Sequence, residues 1–127
     1  MLPFTTILFI LFVHFFADFI CQTHEMAINK SKNIKWLSYH VGVYTVILLI
    51  GSFILFIFTL PDPVITLSSI FGYALLNGVF HWITDFFTSK WTSYLWKKQQ
   101  VHNFFVVVGL DQLIHYTCLF LTLKLFI

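Results

Sequence analysis

Three pairs of polar residues interrupt a chain that is otherwise mostly apolar. His14 and Asp18 are four residues apart, with Gln22 four further on. His81 and Asp85 repeat the spacing, and Asp111 and His115 repeat it in reverse. A fourth imidazole, His40, stands alone. On an α-helix, positions i and i+4 stack on one face, so each pair presents an imidazole and a carboxylate in the same direction. Two such side chains one turn apart can grip one metal ion. Alternatively, the acid takes the second ring nitrogen of a ligating histidine and fixes its tautomer. Neutral imidazoles and carboxylates around a cation form a familiar mixed nitrogen/oxygen environment. The seven candidate ligands are His14, Asp18, His40, His81, Asp85, Asp111 and His115. They exceed the four of a single tetrahedral site. They suit two ions, or one ion with an outer layer of partners, and four-helix bundles build dinuclear sites in this way. One or two divalent ions (Zn, Mn, Fe or Mg) are therefore expected.

The elements that must position these residues are written in the composition. Of the 127 residues, 59% are hydrophobic, 20% aromatic and only 9% charged. A soluble domain carries roughly 25% charged residues, so this chain has too little polar surface to cover one. An integral membrane protein fits instead, with the lipid bilayer as its first partner. A membrane helix needs about 20 apolar residues. Four stretches qualify, at approximately 3–22, 36–60, 64–88 and 102–127. The expected fold is all-α: a four-transmembrane-helix bundle forming one membrane domain over 1–127. The first stretch lacks a basic leader and a small-residue cleavage site, so it reads as a retained span rather than a secretory signal. Pro61-Asp62-Pro63 reads as a tight turn between the second and third spans.

Charge placement gives an orientation. The net charge is +2, with seven lysines and no arginine, which gives no case for nucleic-acid binding. Six of the lysines lie in two links, between spans one and two and between spans three and four. By the positive-inside rule both links face the cytoplasm and both termini face the opposite side. Trp91, Tyr94, Leu95 and Trp96 in the second link read as an ordinary aromatic belt or as a short interfacial helix that docks a substrate. Cys21 and Cys118 sit in apolar segments and offer neither a metal motif nor a disulfide framework.

With that orientation the four histidines and three aspartates fall in one layer, the cytoplasmic leaflet. Each intramembrane acid costs about 2.5 to 3.5 kcal/mol at a helix centre on insertion scales. No lysine is expected at that depth, although Lys90 could reach in from the edge. Protonated acids, cationic histidines or a bound metal would each resolve the imbalance. Gln22, Asn77 and Gln112 extend the same faces, as partners of the ligands or of a substrate. Tyr44, one turn after His40, is a candidate hydrogen-bond donor in the cavity.

The ordered set His14-x-x-x-Asp18-Phe-x-x-Gln22, Lys30, His40, His81-x-x-x-Asp85-x-x-x-x-Lys90 and Asp111-Gln112-x-x-His115 resembles the bacterial and phage membrane family known as domain-of-unknown-function family 3307. The resemblance covers nearly the whole chain. It implies a bacterial inner-membrane location and adds Gln22, Lys30 and Lys90 to the candidates, but supplies no substrate. A looser similarity is to small inner-membrane proteins described as metal-dependent hydrolases.

Three functions compete. The first is a membrane-embedded, metal-dependent hydrolase acting on an amphiphilic anionic substrate, such as a lipid phosphoester or a lipid-linked intermediate. In it Asp18, Asp85 or Asp111 serves as the catalytic base. The second is a proton or metal-ion carrier or channel, since intramembrane Asp and His chains also form relays. The third is a non-enzymatic structural or accessory membrane protein. A homo-oligomer is compatible with each.

Overall fold

The computed structural model describes residues 4–59 and 66–126, and among them the chain forms helices and no strand. Helix α1 spans Phe4–Phe15 and runs straight into a π-helical turn, Phe16–Ile20. A short α2, His24–Asn29, precedes the long α3, Ile34–Thr59. Helix α4 covers Leu67–Lys97 and α5 covers Val101–Phe126. The Pro61-Asp62-Pro63 turn lies outside the described residues.

Local chemistry sets several of these boundaries. The Thr23 hydroxyl accepts the Met26 N–H at 3.2 Å, which caps α2 inside what the sequence presents as a plain polar link. Thr66 does the same for α4, accepting the Ser69 N–H at 3.3 Å. Helix α4 does not stop at 88. Nothing between Ser89 and Lys97 breaks a helix, so the helix continues through most of the segment expected to be a basic link. It ends where Gln99 takes a positive φ of 56°. There the Gln100 N–H reaches back to the Leu95 carbonyl and the Gln99 N–H to the Trp96 carbonyl. This is the Schellman arrangement that usually employs glycine.

The long helices meet in sequence order, α1 against α3, α3 against α4 and α4 against α5. Side chains of α5 then return to α1, closing one shared interior. The approaches are tight at two glycines. A Cβ on Gly51 would lie 2.6 Å from a Val13 methyl, and one on Gly78 would collide with the Thr45 hydroxyl.

The surface is far more apolar than that of a water-soluble domain. Large apolar side chains point outward on every long helix: Phe58 is 78% exposed and Leu125 74%. His14 and His40 are 0% exposed, His81 1% and Asp85 2%. A soluble monomer rarely leaves so much contiguous apolar surface bare. Helices α3 and α5 are each long and apolar enough to cross a membrane.

Candidate metal centre

The three i, i+4 pairs do not close on themselves. Within a pair, His14–Asp18 is 3.6 Å, His81–Asp85 3.6 Å and Asp111–His115 3.4 Å. The shorter contacts run between helices: His40 Nε2 to Asp18 Oδ1 is 3.1 Å, and His115 Nε2 to Asp85 Oδ1 is 3.2 Å. Residues one turn apart point in parallel toward the neighbouring helix rather than at each other. The spacing therefore selects an inward face, and the packing selects the partners.

Asp18 sits in the π-helical turn, where the Cys21 N–H bonds the Phe16 carbonyl at 2.9 Å. Such turns recur at functional sites. Asp18 has both oxygens engaged. Oδ1 lies 3.1 Å from His40 Nε2 and 3.4 Å from His81 Nε2, while Oδ2 accepts from Gln112 Nε2 at 3.0 Å. Asp85 mirrors this from α4. Its Oδ2 lies 3.3 Å from His40 Nε2 and 3.6 Å from His81 Nε2, and its Oδ1 faces His115. The His40 and His81 Nε2 atoms are only 3.1 Å apart. Two nitrogens and two carboxylate oxygens thus converge on one buried point. Donor atoms of Asp18, His40, His81 and Asp85 all lie within 4.8 Å of one another, and a second group, Asp18, Asp111 and His115, meets the same limit. The two groups share Asp18. Both could hold a metal ion.

The rings are held as plates. Tyr44 stacks on His81 with centroids 3.9 Å apart, and His81 stacks on His115 at 4.1 Å. His14 stands beside both donor groups rather than within either. Its Nδ1 contacts the Tyr44 hydroxyl at 3.0 Å and its Nε2 contacts Gln112 Oε1 at 3.0 Å. A proton on Nε2 satisfies both bonds, with Tyr44 donating to Nδ1. His40 and His81 each leave Nδ1 buried without a partner, so no acceptor behind either ring fixes its tautomer.

One cation does reach the cluster, against the expectation that none would. Lys30, at the end of α2, donates to Asp85 Oδ2 at 2.8 Å. Burial pulls its ammonium toward the neutral form, but the Asp85 and Asp18 carboxylates more than offset this, and its pKa is raised. Lys90, expected to reach in from the edge, lies elsewhere, with its ammonium 3.4 Å above the Phe86 ring. Five residues carry it about 140° around α4 from Asp85, off the inward face. Asn77 is likewise apart from the cluster. It donates to Thr122 Oγ1 and the Tyr73 carbonyl, both at 2.8 Å, and fastens α4 to α5. Gln112 lies at the centre, between His14, Asp18 and Asp111.

A polar cleft of about 220 Å³ adjoins the cluster. Asp18, Asp85, Asp111, Gln22 and Lys30 contribute to its lining. So do Thr88 and Ser89, which sequence reasoning missed. Their signal was available: they follow Asp85 by three and four residues and so share its helical face. Thr88 donates to Asp111 Oδ1 at 2.6 Å. Neither a curated protein nor a solved structure matches the chain. Residues 6–127 do match a family described as a protein of unknown function (DUF3307), and with nearly the whole chain covered, this protein belongs to that family.

Proposed function

We propose that the chain is a four-span membrane protein in which α1 with its π-turn, α3, α4 and α5 cross the bilayer, and that it hydrolyses an amphiphilic substrate with the help of a divalent metal ion. The substrate is a lipid phosphoester or a lipid-linked molecule. The lysine-bearing end faces the cytoplasm of a bacterial inner membrane and both termini face away. The observation that carries this reading is the convergence of Asp18, His40, His81 and Asp85 on one buried point beside a polar cleft, beneath an apolar outer surface. The donor set fits a metal: two imidazole nitrogens and two carboxylate oxygens suit zinc and its neighbours.

A divalent cation bound there would polarise the bond to be cut and lower the pKa of a water. The chain's own residues divide the remaining work. Asp18 and Asp85 each extend one oxygen toward the His40/His81 pair and keep the other turned to Gln112 or His115. Asp111 lines the cleft and accepts from Thr88 and Gln112. It is the base that takes a proton from the attacking water. His115, between Asp85 and Asp111, is placed to return a proton to the leaving oxygen. Water adds across the ester, giving one alcohol and one acid.

The carrier reading fares less well. Beyond Tyr44 the interior is mostly apolar, and its buried polar groups, Thr6, Tyr73, Asn77 and Thr122, include no acid or histidine among the described residues. The test is hydrolysis of radiolabelled phospholipids in vesicles containing the purified protein. Wild-type protein should release product, and Asp111→Asn should lower kcat at least about 100-fold while the four-donor group keeps its metal. Equal turnover by the variant would remove Asp111 from the chemistry, and no turnover by wild type on any lipid ester would remove the hydrolase reading.

A further inference from the structure

The cleft contains groups for which hydrolysis at the metal has no use. Its volume of about 220 Å³ far exceeds what one water needs. Ser89, on α4, lines it and is 8% exposed, yet its Oγ has no hydrogen-bond partner. Gln22 Oε1 is also buried without a partner at the same cleft. Buried hydroxyls and carboxamides are nearly always bonded, so two unmatched ones in one cleft point to a missing ligand. Lys30 adds an ammonium with three N–H bonds, of which Asp85 takes one. The Ser89 hydroxyl and the Lys30 ammonium can both donate to an anionic group rich in oxygen, and Gln22 Oε1 can accept from a hydroxyl that such a group carries.

The cleft also has an apolar side. Phe19 from the π-turn and Phe104 and Val108 from α5 complete its lining. Phe19 is 44% exposed and Phe104 is half-buried. This side therefore opens toward the apolar outer surface.

We propose that the cleft is the headgroup pocket for a phosphate-bearing membrane lipid. Lys30 and Ser89 hold the phosphate, and the acyl chains leave past Phe19 and Phe104 into the leaflet at the lysine-bearing end. The proposal rests on the metal reading above, because Asp18, Asp85 and Asp111 repel an anion until a divalent cation offsets them. It names what that reading leaves general: the group recognised and the side from which it arrives.

The experiment uses the full chain in detergent, loaded with Mn²⁺, with metal content measured in parallel. Dihexanoyl phosphatidate, inorganic phosphate and dihexanoylglycerol are titrated by calorimetry. Phosphatidate should bind saturably, and dihexanoylglycerol, which lacks the phosphate, at least about ten-fold more weakly. Ser89→Ala should weaken phosphatidate about five-fold, the worth of one neutral hydrogen bond. Lys30→Met should weaken it about 30-fold, with partial rescue by Lys30→Arg. Ser89→Ala guards against a Lys30 variant that fails to fold. Inorganic phosphate binding as tightly as phosphatidate would make this a free-phosphate site and overturn the lipid assignment. Unchanged phosphatidate affinity in Ser89→Ala and Lys30→Met, with metal retained, would overturn the pocket and leave the metal reading standing. Failure to take up metal would remove both.

Discussion

Near the lysine-bearing end the helices meet through imidazoles, carboxylates and one ammonium, whereas toward the other end the same helices meet through Ile10, Leu48, Leu119 and Leu123. The apolar half does what a membrane bundle requires. In the proposed bilayer setting lipid is as apolar as leucine, so helices there would associate by close packing rather than by escape from water. Val13 seated against Gly51 is an instance. Single polar contacts add to this, such as the Tyr73 hydroxyl donating to the Leu119 carbonyl at 3.3 Å. The polar half holds far more than fastening needs. Interhelical hydrogen bonds in membranes average only about 0.6 kcal/mol, and three carboxylates with one lysine are a costly way to collect a few of them. The contrast supports the proposed division, in which one half of the interior holds the helices together and the other holds a metal.

Substitutions in the two halves should therefore fail differently. The largest effect is expected from Asp85→Asn. It strands the half-buried Lys30 ammonium and removes a donor from the four-residue group, so stability should fall by about 3 kcal/mol and metal should be lost together with it. Thermal unfolding in detergent and elemental analysis would read the two effects. Gly51→Leu comes next. Val13 is branched and closely packed, so the added side chain should cost about 2 kcal/mol. Metal bound per folded molecule should stay unchanged; a loss there would blur the division between the halves. The smallest is Tyr73→Phe, about 0.6 kcal/mol, again with no change in metal.

Much of this arrangement can be read from the residues, because i, i+4 spacing is a direct statement about helix faces. The pairs at His81/Asp85 and Asp111/His115 mark inward faces of α4 and α5, and the lone His40 does so for α3. What spacing cannot give is partners across helices. Nothing in Phe16–Ile20 announces a π-turn, so the reach of Asp18 to His40 was invisible. Lys90 was the natural nominee for Asp85 by proximity in sequence. Lys30 takes the place because α2 folds back on α3, a tertiary fact. His14 illustrates the same gap. It has the type and spacing of a ligand, yet Tyr44 and Gln112 occupy its two nitrogens. The continuation of α4 to Lys97 needed only the observation that no residue there breaks a helix.

The most direct test is the metal content, by mass spectrometry, of detergent-purified protein beside Asp18→Asn, because Asp18 belongs to both donor groups. One or two equivalents of zinc, manganese or iron in the wild type, falling to background in a folded Asp18→Asn variant, is the predicted result. Should magnesium be the ion, it is held weakly, and the comparison is repeated with magnesium added back. A folded wild-type protein that takes up no divalent metal under either condition, or an Asp18→Asn variant that retains the full complement, would contradict the metal centre.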